Sequence, residues 1–379
     1  MILHVIDNLL PEKGGPTSVV IELARHQALA GLRVTVACRQ APRTPESRAA
    51  LERAWKGTGI ELAEVGGSAA RVRRSLADLL RRTSPRITHL HCTWERIIRL
   101  AAHESRAAGV NCVLSTHGMF HPYALSQKRW KKEIYLAAFR RFFAGAREYL
   151  VLNQEEADYV RSRFGWPATV LNNGVELERY GGTDDREFRA ALPAIGDRKY
   201  LLFVGRLHPI KGCDLLLNSF RIARDRGLAM DLVLLGPDEG AMTALREQAA
   251  GLGLAGCTHL PGGVFGSVKL SALAGCSGFV HRPRFEGFGI AVIEGMASSR
   301  PVVTTARCHL DGAAAAGALL CVEDSDRAFA DGLMALQSDP RRAHDLGLAG
   351  RRWAEQHCSW RSIVVSAEEA YRRAGAPGS

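Results

Sequence analysis

Tyr200-Leu201-Leu202-Phe203-Val204-Gly205-Arg206-Leu207-His208-Pro209-Ile210-Lys211-Gly212 is the stretch from which the fold is read. Five consecutive apolar residues suit a strand buried on both faces, as in a parallel sheet. A turn with glycine and proline ends the strand, and a helical run, Cys213–Arg226, follows. The same strand, loop, helix order repeats on either side. Upstream, strands are expected at Ile2–Ile6, Val34–Cys38, Ile60–Val65, Ile87–His91, Val110–Thr116, Tyr149–Leu152 and Ala168–Leu171. Downstream, they are expected at Asp231–Leu235, Cys257–Leu260, Gly278–His281, Pro301–Thr305 and Ala318–Val322. Alternating βα units predict an α/β fold of parallel sheets covered by helices.

The chain has 379 residues, more than one ordinary core holds. The polar segment from Asn172 to Lys199 carries Gly174, Gly181, Gly182, Pro193 and Gly196 and reads as a crossing between two domains, residues 1–175 and 196–357. In open α/β sheets ligands bind beyond the carboxyl ends of the strands. Two Rossmann-like domains joined by one crossing are therefore expected to turn their strand ends toward a shared cleft. The search for chemistry narrows to residues that follow strands.

Composition excludes several classes. Hydrophobic residues make up 46% and charged residues 23%, as in globular proteins. No apolar run reaches the ~20 residues of a membrane span, and Met1 leads directly into a strand, so no secretory signal is expected. Nine scattered cysteines without a CxxC pair read as small buried hydrophobes of a reducing cytoplasm, not disulfides or a zinc site. The net charge of +11 comes mostly from 42 Arg against 8 Lys. It fits nucleic acid, anionic lipid or a phosphorylated small molecule, and equally a biased genome composition.

The run Phe285-Glu286-Gly287-Phe288-Gly289-Ile290-Ala291-Val292-Ile293-Glu294-Gly295-Met296-Ala297 follows a strand and opens a helix near Gly289. Glu294 stands alone among apolar neighbours, so burial would cost several kcal/mol without a hydrogen-bonding partner. Ligand hydroxyls would serve. Between Glu286 and Glu294 lies the helix N-terminus, whose free N–H groups suit a phosphate, and Gly287 and Gly289 allow close backbone approach. A capping glutamate with a structural ion pair fits the same spacing. In the stretch quoted first, Arg206 and Lys211 sit in one turn at a strand end and can converge on one anion, although two solvated surface cations would look alike.

Two glutamates separated by seven residues, with Gly-Phe-Gly after the first, resemble the E-x7-E motif of the GT-B retaining glycosyltransferases of family 4 (glycosyl transferases group 1). Gly205-Arg206-Leu207 followed by Lys211-Gly212 resembles that family's second hallmark. The resemblance implies a GT-B fold, an N-terminal acceptor domain, a C-terminal donor domain, and a last helix, 359–374, packed back on the first domain. It implies a retaining hexosyltransferase taking a UDP or GDP sugar and no metal or other cofactor. Glu286 would lie by the transferred sugar and Glu294 on the ribose. The amides of Phe288, Gly289 and Ile290 would hold the diphosphate, with Arg206 and Lys211 stabilising the leaving charge. Gly205 and Val264 would line the donor pocket, Val264 beside the base. Gly14 and Gly15 match the family's glycine-rich loop, and His117, at the end of Val110–Thr116, matches its histidine near the sugar.

His89 and His91 share one face of their strand, but no third ligand stands in register, so they read as structural or cleft-lining and not as a metal site. Residues 126–143 mix six bases with aromatics at helical spacing. This suits either an anionic membrane surface or a packed helix with a solvated basic face. The expected acceptor is a glycan or lipid-linked molecule of envelope polysaccharide or lipopolysaccharide assembly. Nucleic acid is not an expected partner. Localisation is expected in the cytoplasm, with the inner face of the membrane open. Arg282 and Arg284 depart from the family pattern and read as a hint of an anionic acceptor or sugar. A sugar-nucleotide epimerase and a catalytically silent nucleotide-sugar-binding protein are the rival readings. A Rossmann dehydrogenase is excluded by the missing G-x-G-x-x-G.

Overall fold

The computed structural model describes residues 1–10, 15–182 and 184–375. The chain divides into two compact units, Met1–Gly174 with Trp360–Ser379, and Val175–Ser359. Each is an α/β sandwich around one wholly parallel sheet.

In the first unit the strands are β1 (Ile2–Asn8), β2 (Val34–Gln40), β3 (Glu61–Glu64), β4 (Ile87–His91), β5 (Cys112–Ser115), β6 (Glu148–Val151) and β7 (Ala168–Val170). Their order is β3-β2-β1-β4-β5-β6-β7. In the second they are β8 (Tyr200–Val204), β9 (Asp231–Leu235), β10 (Thr258–Gly262), β11 (Gly278–His281), β12 (Val302–Thr305) and β13 (Leu320–Val322), ordered β10-β9-β8-β11-β12-β13. Both are doubly wound sheets whose order reverses at one junction, β1/β4 and β8/β11 respectively. At such a junction the loops after neighbouring strands part and leave a ligand-binding crevice.

Every strand expected from the sequence is present; central ones such as Tyr200–Val204 and Asp231–Leu235 are buried apolar runs, while the edge strands Glu61–Glu64 and Leu320–Val322 are only partly buried. Boundaries move by a few residues. The helix Pro45–Ala54, which apolar periodicity does not reveal, is marked by Thr44: its hydroxyl accepts from the Ser47 N–H, and Pro45 opens the first turn. The basic aromatic run is two helices, Pro122–Ser126 and Arg129–Phe143, parted by Lys128 at a left-handed φ of 53°. The polar stretch after Gly174 is not an open linker. It forms a 3-10 turn, Leu177–Tyr180, and a helix, Arg186–Ala191, and buries Leu177, Phe188 and Ile195 within the second unit.

The last helix, Trp360–Arg373, belongs to the first unit. Trp360, Ile363, Val364, Ala367 and Tyr371 recur at helical spacing and bury one stripe against Ile2, Leu23, Ile87, Val113 and Leu150. Trp360 lies so close to Gly174 that a Cβ there would come within 2.3 Å of its ring. Trp360→Ala should therefore destabilise the first unit by about 3–5 kcal/mol. The check is a urea melt followed by fluorescence, in which the unfolding of this unit moves to lower denaturant.

Candidate functional site

The second unit gathers its chemistry at the β8/β11 junction. The loop after β8 ends in a 3-10 turn, Pro209–Lys211, and the loop after β11 leads to the helix Ile290–Ala297. Arg284 zips the two loops together. Its N–H donates to the Ile210 carbonyl at 2.9 Å and its guanidinium to the Pro209 carbonyl at 2.8 Å. The same guanidinium grips both oxygens of Asp214 at 2.6 Å. Gly212 is left-handed, φ +66°, and a Cβ there would fall 2.1 Å from the Arg282 carbonyl oxygen, so only glycine lets the loops approach this far.

This approach delivers Lys211 to Glu286. Nζ lies 2.5 Å from Oε2, and each side chain is only 15% exposed. His281, the last residue of β11, donates from Nε2 to the same oxygen at 3.2 Å, with its ring stacked on Phe203. The Glu286 N–H donates to the Arg307 carbonyl at 3.2 Å. Burial alone would raise the Glu286 carboxyl; the hydrogen bond from His281 and the Lys211 ammonium outweigh it and hold the group down at about 2. Glu286 is thus a fixed carboxylate. Burial lowers His281 against the opposing pull of Glu286, so it acts as a neutral donor.

Arg206 has a different partner. Its guanidinium pairs with Glu239 at 2.5 Å and is half-exposed. The two cations expected to converge are therefore divided, Lys211 to Glu286 and Arg206 to Glu239. The extra arginines are likewise paired within the protein. Arg282 is 4% exposed and neutralised by Asp324 and Asp326, and Arg284 is neutralised by Asp214.

Gly289 begins the helix Ile290–Ala297, and no side chain among the described residues caps it. Phe288 is buried, and Gly289 packs on Val292, where an added Cβ would stand 3.0 Å from a methyl group. Gly287 lies in the turn between Glu286 and Phe288, and the Ile290 N–H closes back on the Phe288 carbonyl at 2.8 Å. At the other end of the helix Gly295 lies flat on the β11 Phe279 ring, fixing the helix on the sheet. Glu294 is buried, as its surroundings predict, yet its partners are protein groups. The Tyr180 hydroxyl donates to Oε1 at 2.8 Å, and Lys269 Nζ lies 2.7 Å from the carboxylate. Burial, then the charge of Glu294, pushes the Tyr180 phenol up and keeps it a donor. Gly205 follows β8 and packs on Phe203, and its carbonyl would lie 1.8 Å from any Cβ on Gly236. Val264 is partly buried in the loop after β10, beside the exposed Phe265.

In the first unit His117 follows β5 with a left-handed φ of 51°, rare for a residue with a Cβ. Gly15 opens the helix Gly15–Leu29 and is exposed. Gly14 lies outside the described residues. His89 and His91 do have a third neighbour: His4 on β1, paired in register with His89. Sequence reading misses it because the adjacency of β1 and β4 belongs to the sheet order. His281, Lys269, Tyr180 and Glu239 are missed for the same reason. Each acts through a partner that is 5 to over 100 positions away, and only His281, on a strand ending before Glu286, leaves a local signal.

A carboxylate held at about 2 against an ordinary 4.5 contributes stability that is complete above 4.5 and is lost as pH falls through 2. Glu286→Gln removes that contribution. The stability gap between wild type and E286Q should stay constant from pH 7 to about 4.5 and close toward pH 2, as read by urea melts at each pH.

Residues 184–353 match the family described as Glycosyl transferases group 1, and residues 13–179 match Glycosyltransferase Family 4. A D-inositol 3-phosphate glycosyltransferase of Rhodococcus opacus is 30% identical over 233 residues, covering 58% of this chain and 52% of the relative. The chain thus spans about half the length of the first curated relatives it matches. A GDP-mannose:cellobiosyl-diphosphopolyprenol alpha-mannosyltransferase of Xanthomonas campestris is 25% identical over 98% of this chain and 97% of its own. Among solved structures, Anabaena HepE in complex with UDP and glucose aligns with a TM-score of 0.77 at 18% identity, covering 98% of this chain and 99% of that one. WaaG, a glycosyltransferase involved in lipopolysaccharide biosynthesis, aligns at 0.70 and 16%, with coverage of 98% and 99%. At such identities the likeness speaks for the fold, which is GT-B. With the two family matches side by side along the sequence, the chain belongs to the GT-B glycosyltransferases of the glycosyl transferases group 1 and family 4 type.

Proposed function

We propose that the protein is a retaining glycosyltransferase that moves a sugar from a UDP or GDP sugar to a glycan or lipid-linked acceptor, in envelope polysaccharide or lipopolysaccharide assembly. The observation that carries this reading is the Lys211–Glu286 contact at the β8/β11 junction, beside an uncapped helix N-terminus. A departing nucleoside diphosphate gains negative charge as the glycosidic bond breaks, so fixed positive groups there favour the transition state over the ground state. Lys211 and the N–H groups of Phe288 and Gly289 would supply them, joined by the Ile290 N–H once it gives up the Phe288 carbonyl. Arg206 would join by exchanging Glu239 for phosphate. An exposed ion pair of this kind is worth only about 0–1 kcal/mol, so the exchange costs little. No role here requires a metal.

Glu286, kept anionic by Lys211 and His281, would stand by the transferred sugar. Glu294 would take ribose hydroxyls with the oxygen lone pairs that Tyr180 and Lys269 leave over. Gly205 and Val264 would line the nucleoside, with His117 and the Gly14-Gly15 loop toward the sugar or acceptor. The alpha-mannosyltransferase from Xanthomonas, which this chain matches over nearly its full length, supports the choice of a diphosphate-linked lipid acceptor. Lys211→Ala and Glu286→Ala should each lower kcat about 10²–10³-fold with the fold retained. Radiolabelled sugar transfer, with circular dichroism as the control, reads this; unchanged turnover in either removes that residue from the site.

We further propose that the helix Arg129–Phe143 touches the membrane. Trp130 and Ile134 are 65% and 62% exposed, four apart on a helix that also displays Arg129, Lys131, Arg140 and Arg141. Apolar anchors among bases suit an anionic lipid surface. Among the described residues no helix is long and apolar enough to cross a membrane. In co-sedimentation the protein should bind vesicles containing phosphatidylglycerol and not pure phosphatidylcholine. A Trp130→Ala, Ile134→Ala double variant should lose most of that binding.

A further inference from the structure

Behind His117 lies a continuous chain of buried polar side chains within the first unit. Gln27, His4, His89, His91 and Tyr371 are all 0% exposed. His4 Nε2 stands 2.7 Å from the Gln27 Oε1, His4 Nδ1 stands 2.9 Å from His91 Nε2, and His91 Nδ1 stands 3.1 Å from His117 Nε2. Gln27 in turn donates from Nε2 to the Tyr371 hydroxyl at 2.9 Å. Tyr371 lies 2.8 Å from His89 Nδ1, and His89 Nε2 lies 2.7 Å from the Ser115 hydroxyl.

The chain takes its direction from the Gln27 amide. Burial lowers the pKa of His4 and His117 to about 4 and those of His89 and His91 well below the usual value, so all four rings are neutral at pH 7. A neutral imidazole has one N–H and one lone pair. The Gln27 carbonyl only accepts, so His4 carries its proton on Nε2 and accepts at Nδ1. His91 must then donate from Nε2 and accept at Nδ1. His117 must likewise donate from Nε2, which leaves its Nδ1 as a bare acceptor. This follows from Gln27 turning Oε1 to His4 and Nε2 to Tyr371, whose own proton then goes to His89; the turned amide would reverse every bond and put the His117 proton on Nδ1, which histidine ¹H–¹⁵N spectra distinguish. A metal on His4, His89 and His91 would need lone pairs that this arrangement spends on hydrogen bonds.

We propose that Gln27 and Tyr371 are positioning residues that fix His117 as the Nε2–H tautomer, so that its Nδ1 accepts a hydrogen bond from a sugar hydroxyl. The last helix thereby sets the proton position at a residue more than 250 positions earlier in the chain. This inference rests on the reading of His117 as a sugar contact, and its test separates the two. A wrong tautomer offers N–H where the hydroxyl needs a lone pair, which loses one hydrogen bond and places two donors face to face.

The test uses the full chain with ¹⁵N-labelled histidine and long-range ¹H–¹⁵N correlation spectra, which distinguish the two tautomers without any turnover. Wild-type His117, His91 and His4 should each appear as the pure Nε2–H form. Gln27→Leu and Tyr371→Phe should each leave His117 as a mixture and lower kcat about tenfold, the scale of one net hydrogen bond, with the donor KM unchanged. An Nδ1–H form or an even mixture in the wild type overturns the proposal, and that spectrum requires no variant to fold. So does an unaltered His117 in both folded variants, or a stoichiometric metal found by elemental analysis. If the tautomers behave as stated while His117→Ala transfers sugar at the wild-type rate, the sugar-contact reading fails and the positioning role with it.

Discussion

The arrangement at the β8/β11 junction depends on a single contact, Lys211 against Glu286, and on the backbone that brings the two together. Two opposite charges with little exposure are stable only where further hydrogen bonds support the pair and neither partner is free to move apart. Here the carboxylate has His281 and the Lys211 ammonium, while the loops carrying them are bound by Arg284, Asp214 and the backbone of Pro209 and Ile210. Gly212 removes the one Cβ that would hold the loops apart. The position of a charged pair is thus set by main-chain geometry at a sheet junction, not by the flexibility of a lysine.

The two units share a winding but use their junctions in opposite electrical terms. At β8/β11 the polar groups are ionic, with Lys211, Glu286, Arg282 and Arg284 each neutralised by an opposite charge. At β1/β4 they are neutral imidazoles, a glutamine and a tyrosine, joined end to end. The difference follows the task proposed for each. A diphosphate needs charge, and a sugar hydroxyl needs directed donors and acceptors. In a buried setting an orphaned polar atom costs about 1–3 kcal/mol, and at β8/β11 the buried His281 Nδ1 has no hydrogen-bond partner among the described residues.

The GT-B architecture was largely legible in the sequence. All thirteen strands could be located, because the central strands are covered on both faces and largely apolar and the loops between strands carry glycine, proline and polar residues. The Arg206–Lys211 turn and the Glu286–Glu294 run were legible as well, since strand ends and a helix start are local features. The helix and turns in the crossing after Gly174 were not legible, for Phe188 finds its burial beside a helix some 80 positions away, where its N–H donates to Ser271.

The sequence by itself determined the element order, the repeated βα unit, the junction loops and the kinds of side chain at their ends. Tertiary structure alone decided the pairings. It turned Arg206 to Glu239, gave Glu294 a tyrosine and a lysine, spent Arg282 and Arg284 on aspartates, and set His4 beside His89 and His91. The physical reason is reach. Periodicity and turn chemistry act within a few residues, whereas a buried polar atom takes whatever partner the strand order brings within about 3 Å, however far away in sequence that partner lies.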